Sequence, residues 1–136
     1  MTAAARAAAA VLAALWLAVA PAAGAASASR WREARPVAII AAEYQFTPSR
    51  PVFRRGVRYR LHLENRGAEM HEFNAPQFFR AVRIGNPQVL NRTRREIVLR
   101  PGDKADLYFV PLRPGHYRLK CPDHDWAGME GEITIE

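Results

Sequence analysis

HYRLKCPDHDWAGMEGEITIE, residues 116–136, is the stretch on which both the fold and the chemistry turn. Its opening alternates. Tyr117, Leu119 and Cys121 share one side, and His116, Arg118 and Lys120 share the other. Period-two alternation marks a half-buried strand, so Cys121 points the way the core residues point. Pro122, Asp123 and Gly128 then oppose regular structure and predict a loop. GEITIE resumes the alternation, with Ile133 and Ile135 inward. The segment therefore reads as strand, short loop, strand, with Cys121, His124 and Met129 carried on or beside the loop.

The same logic extends upstream. VAIIAAEYQFTP, residues 37–48, reads as a strand closed by Pro48. Val52 and Phe53 precede the turn signal Arg54-Arg55-Gly56. In VRYRLHLEN, Val57, Tyr59, Leu61 and Leu63 take one face, while Arg58, Arg60, His62 and Glu64 take the other. A short extended segment holds His71, Glu72 and Phe73. Residues 76–91, PQFFRAVRIGNPQVLN, break the pattern and read as a short helix or loop insertion stopping near Gly85, with Phe78, Phe79 and Val82 inward. EIVLR and ADLYFV are further strands, separated by the Pro101-Gly102 turn. About seven or eight short strands with Pro and Gly turns predict an all-β antiparallel sandwich.

The first residues read differently. One early Arg6 precedes an uncharged run from Ala7 to Ser29, and Ala23-Gly24-Ala25 and Ala26-Ser27-Ala28 both fit a small-x-small cleavage site. This is the layout of a secretory signal over residues 1–28, cut after Ala25 or Ala28. The alternative, an uncleaved anchor, is disfavoured because the apolar part before Pro21 is short of the ~20 residues a span needs. Residues 29–36 read as a charged linker, and 37–136 as one domain.

The chain is basic, at a formal +7, yet unevenly so. Arginine crowds residues 30–100, whereas from Cys121 onward there is no Lys or Arg but five acidic residues, Asp123, Asp125, Glu130, Glu132 and Glu136. Such asymmetry either steers a charged partner or only keeps the protein soluble. An exported domain with no aromatic-basic motif is not a nucleic-acid binder.

Cys121 is the only cysteine. In an exported protein it forms an intermolecular bridge, stays a free thiol, or serves as a ligand. Each neighbour has a plain reading alone, since Cys and Met commonly just pack. Together, at this spacing, a thiolate, an imidazole and a thioether form a soft donor set that suits copper rather than calcium or magnesium. A fourth donor must come from elsewhere. His62 sits on the polar face of its strand, and His116 points away from Cys121; His71, just past a turn, is the remaining histidine. Met70 is a rival for the thioether, but it adjoins His71, and neighbours on extended backbone point opposite ways. The set is thus His71, Cys121, His124 and Met129. Two imidazoles and a thiolate with a weak axial thioether describe an electron-transfer copper site. The axial Met disfavours zinc.

Cys-x2-His-x4-Met, preceded by PGHYRLKC and followed by GEITIE, with ENRGAEMHEF upstream, resembles the cupredoxins, the plastocyanin/azurin-like blue copper proteins. The resemblance runs from about Val37 to Glu136. It implies a Greek-key β-sandwich with one type 1 copper at one end, cycling between Cu(I) and Cu(II). His71, Cys121, His124 and Met129 would be the ligands, and the His124 edge the electron port. Many members carry Asn or Ser where this chain has Glu72, whose carboxylate is open to a loop amide, to His124 or to solvent. Pro122 has no N–H to offer the sulfur. Phe78, Phe79 and Trp126 form either an apolar collar or core, with core favoured for the phenylalanines.

These readings converge on a periplasmic one-electron carrier, monomeric, not an enzyme and free of the membrane once its signal is removed. Its partner would be a redox protein such as a c-type cytochrome or a copper-dependent oxidoreductase. The alternative on the same fold is a periplasmic copper-binding protein for resistance, buffering or delivery.

Overall fold

The computed structural model describes residues 29–136. The expected export signal, residues 1–28, lies outside the described residues. The described chain forms ten strands and one short α-helix: β1 (Arg35–Ala42), β2 (Gln45–Thr47), β3 (Val52–Phe53), β4 (Tyr59–Asn65), β5 (His71–Asn74), α1 (Pro76–Ala81), β6 (Val82–Ile84), β7 (Glu96–Leu99), β8 (Lys104–Pro111), β9 (Gly115–Lys120) and β10 (Glu130–Ile135). Two five-stranded sheets pack face to face, one in the order β2-β1-β4-β8-β6, the other β3-β10-β9-β5-β7. This is the β-sandwich expected from the pattern, with the Greek-key arrangement that the resemblance implies.

The excess over seven or eight strands has two local causes. The apolar stretch from Val37 to Pro48 is not one strand but a hairpin, turning at Glu43-Tyr44 so that Ala42 pairs with Gln45. The predicted helical insertion ends at Ala81, and Val82, Arg83 and Ile84 become a strand on the edge beyond β8. Pairing is also not wholly antiparallel. β1 runs parallel to β4, and β3 parallel to β10, because the chain leaves the first sheet after β2, contributes β3 to the second, and returns as β4.

Alternation decides what is inside. Tyr59, Leu61, Leu63 from β4, Leu107 and Phe109 from β8, Leu119 from β9, and Ile133 and Ile135 from β10 are all buried between the sheets. The centre is aromatic. Phe53 lies 4.9 Å from Tyr59, 5.0 Å from Phe109 and 5.9 Å from Phe78, ring centre to ring centre. The first two meet edge to face, and such pairs add to the burial of the rings themselves. Phe78 and Phe79 are buried from α1, as core.

The fold gathers the chemistry at one end of the second sheet. β5 opens with His71, β9 ends one residue before Cys121, and β10 starts one residue after Met129. β9 is hydrogen-bonded to β10 on one side, with Lys120 opposite Glu130, and to β5 on the other, with Asn74 opposite Lys120.

Candidate metal centre

The loop from Cys121 to Met129 is closed by its own backbone. The Cys121 N–H donates to the Met129 carbonyl at 3.0 Å, and the His124 N–H donates to the Cys121 carbonyl at 3.1 Å. A single turn of 3-10 helix, Asp125–Ala127, follows His124, and Gly128 ends it at φ 82°, a left-handed cap where glycine carries no penalty. These bonds fold His124 and Met129 back over the end of β9.

His71 arrives from the other direction. The loop before it is tied down by Asn65, whose side-chain amide donates to the Glu69 carbonyl at 2.7 Å and to the Leu99 carbonyl at 2.9 Å, and whose carbonyl accepts from the Gly67 N–H at 2.8 Å. β5 then points His71 into the interior, where it is fully buried.

The result is a compact donor cluster. One ligating atom each from His71, Cys121 and His124 lies within 4.8 Å of the others. All three residues are buried. The His124 Nδ1 is 3.4 Å from Cys121 Sγ, and the imidazoles of His71 and His124 meet edge-on with centres 5.0 Å apart. His71 Nδ1 is buried and has no hydrogen-bond partner among the described residues. A buried polar atom without a partner is costly, and a metal ion at the cluster would satisfy it. Met129 is fully buried beside the loop, while Met70, the rival thioether, is 40% exposed. His62 bonds Asp106 at 2.7 Å and His116 bonds Thr134 at 3.1 Å, both outside the cluster.

The sulfur's surroundings follow from the packing. Burial pushes the Cys121 thiol up, opposed by backbone N–H donors from Glu72, Asp123 and His124. The Glu72 N–H is 3.4 Å from the sulfur. Pro122 thus removes one donor and the opposite strand supplies another. The Glu72 carboxyl is itself raised, first by burial and then by the nearby Asp123 and Glu96 charges, with the Asp123 backbone amide pulling the other way. The Glu72 Oε2 is buried without a hydrogen-bond partner among the described residues.

Three residues of the site were missed by reading the sequence: Glu43, Tyr44 and Glu69. His71 Nε2 is 3.1 Å from Glu43 Oε1, and His124 Nε2 is 2.8 Å from Glu69 Oε2. Tyr44 packs on His124, ring centres 4.8 Å apart, and Trp126 follows at 5.7 Å from Tyr44. Trp126 is 75% exposed, so it is a surface ring beside the site rather than core. No spacing in the sequence points to these acids, because the β1–β2 turn that delivers Glu43 sits inside what reads as a single strand.

Comparison with known proteins agrees with this geometry. The Cupredoxin-like domain family matches residues 7–135. No curated protein matches the sequence. Among solved structures, auracyanin from the photosynthetic bacterium Roseiflexus castenholzii is similar at 17% identity and a TM-score of 0.57, covering 76% of this chain and 98% of that one. Auracyanin B is similar at 18% identity and a TM-score of 0.55, over 76% and 89% of the two chains. The copper nitrite reductase of Nitrosomonas europaea is similar at 17% identity and a TM-score of 0.59, over 80% of this chain and 52% of that larger one. At such identities the structural likeness speaks to the fold alone. The family match and the buried histidine, cysteine, histidine cluster together fit a single type 1 copper. On its sequence match across nearly the whole chain, this protein belongs to the cupredoxin family.

Proposed function

We propose that the protein is an exported one-electron carrier of the periplasm, and not an enzyme, in which one copper would be held by His71, Cys121, His124 and Met129. The observation that carries this reading is the convergence of one thiol and two imidazoles, all buried, within 4.8 Å. Copper, when bound there, supplies a one-electron change between Cu(II) and Cu(I).

The chain's own residues do the rest. Cys121 gives up its thiol proton on metal binding, as any thiol ligand must. The loop bonds between Cys121, His124 and Met129 fix the donors before the ion arrives, so little moves when the charge changes. Burial excludes water from the donor atoms, which favours electron exchange over bond chemistry at the metal. His124 is the outermost donor, 8% exposed, with Tyr44 and Trp126 packed outward from it. That edge is where a redox partner, a c-type cytochrome or a copper-dependent oxidoreductase, would meet a monomer.

The test is to add Cu(II) to the protein lacking residues 1–28 and to look for an intense visible thiolate-to-copper band. Mixing with a small c-type cytochrome then reads the exchange. A blue protein that exchanges electrons reversibly supports the carrier, and Cys121→Ser abolishes the band. A coloured protein that exchanges poorly but protects cells from copper points to copper handling instead. Fractionation of cells expressing the full chain checks the compartment.

A further inference from the structure

Both histidines of the cluster are held from behind by carboxylates that lie outside the Cys121–Met129 loop. Glu43 reaches the Nε2 of His71 at 3.1 Å and Glu69 the Nε2 of His124 at 2.8 Å. An ionised carboxylate only accepts hydrogen bonds. Each Nε2 therefore carries a hydrogen, and in the neutral ring each Nδ1 keeps its lone pair. Those are the atoms aimed inward: His124 Nδ1 at the sulfur, and the partnerless His71 Nδ1.

The two acids are themselves fixed. The Glu69 backbone N–H donates to the same Glu43 oxygen at 2.8 Å, and the Tyr44 hydroxyl donates to Glu69 Oε1 at 2.8 Å. Glu43 and Tyr44 form the turn between β1 and β2, and Glu69 lies on the loop that leads to His71. Gly67 completes the arrangement. A Cβ at that position would collide with the Glu43 carboxylate, so the glycine leaves the lane through which Glu43 reaches His71. One small network thus sets the proton position on both imidazoles.

We propose that Glu43 and Glu69 are positioning residues for the metal site, locking both histidines in the Nε2–H form and lending negative charge to both imidazoles, so that the balance at the site lies further toward Cu(II) than it would without them. The physical reason is general. A carboxylate behind a ligating histidine fixes its tautomer and raises its basicity, and added negative charge favours the more positive ion. The redox half of this inference rests on the copper reading; the tautomer half does not.

The experiment compares Glu69→Gln, Glu43→Gln and Gly67→Ala with the parent protein. Gln keeps the shape and removes the charge, while Gly67→Ala displaces Glu43 without altering it. The expected result for Glu69→Gln is at least a tenfold shift of the Cu(II)/Cu(I) preference toward Cu(I), an upward move of about 59 mV for one electron. Glu43→Gln and Gly67→Ala should shift it in the same direction and by similar amounts, so either serves if the other does not fold. Potentials within threefold of the parent in coloured, folded variants would overturn the redox half, and so would a downward shift. In the metal-free parent, proton–nitrogen NMR should show two strongly downfield Nε2–H resonances, one moving upfield with each Gln substitution. Resonances assigned to Nδ1–H instead would overturn the tautomer half. A parent that binds no copper would refute the copper reading and the redox half with it, and would leave the NMR result to decide the other.

Discussion

The backbone N–H of Glu72 points at the Cys121 sulfur across 3.4 Å, joining β5 to the loop that follows β9. Burial sets the character of that sulfur. The thiol is fully buried and its pKa is pushed up by desolvation, so the reactive thiolate is scarce without a metal. In metal-free protein, labelling by a disulfide reagent should be at least ~100-fold slower under native conditions than in denaturant. Stopped-flow absorbance checks this, and equal rates would mean that the site end of the sandwich is open.

Met129, the proposed fourth donor, is fully buried. Met129→Leu keeps the volume and removes the thioether. The copper band should remain, and the potential should rise by about 30 mV or more, a threefold change in preference for one electron. Voltammetry of the two proteins decides it. An unchanged potential would remove Met129 from the ligand set.

Asn65 holds the approach to His71 through three hydrogen bonds from a buried side chain. Asn65→Ala deletes all three. The expected loss is about 2–3 kcal/mol, since each intramolecular hydrogen bond contributes about 0.5–1.5 kcal/mol net. Urea denaturation measures it. Copper affinity should fall as well, because the loop that carries Glu69 is freed.

Gly131 lies on β10 opposite Leu119, and a Cβ there would collide with the Ser49 carbonyl oxygen. That carbonyl is backbone, already accepting from the Glu132 N–H at 2.9 Å, and cannot swing aside. Gly131→Ala should cost about 1–3 kcal/mol by overpacking. Thermal denaturation gives the answer, and a neutral result would mean that the segment before β3 shifts freely.

Glu64 is held below the usual carboxylate range, first by the Arg66 guanidinium that bonds it at 3.0 Å and then by the Lys104 and His62 charges. A depressed folded value contributes stability that is fully present above the ordinary glutamate range and lost as pH falls through the depressed value. Arg66 and Lys104 are mostly exposed, so solvent screens the effect and it is small. Glu64→Gln should flatten part of the stability loss between about pH 6 and about pH 3. Denaturant midpoints across that range test it.

Local pattern carried much of this. The alternation in residues 57–63 and 117–121 placed Val57, Tyr59, Leu61, Leu63, Tyr117, Leu119 and Cys121 inward, and all are buried except Val57 and Tyr117, which are half-buried. The pattern did not locate the Glu43-Tyr44 turn. Nothing in an apolar run of that length marks a reversal without Gly or Asn, and the turn forms because β1 pairs with β4 on one edge and β2 on the other.

By itself, the sequence determined the sandwich and the donor types, because side-chain period and ligand chemistry are local properties of the chain. Only the tertiary structure decided which nitrogens face inward and which acids stand behind them. Glu43 and Glu69 are 28 and 55 residues from the histidines they hold, and that proximity arises from sheet packing rather than from any spacing along the chain.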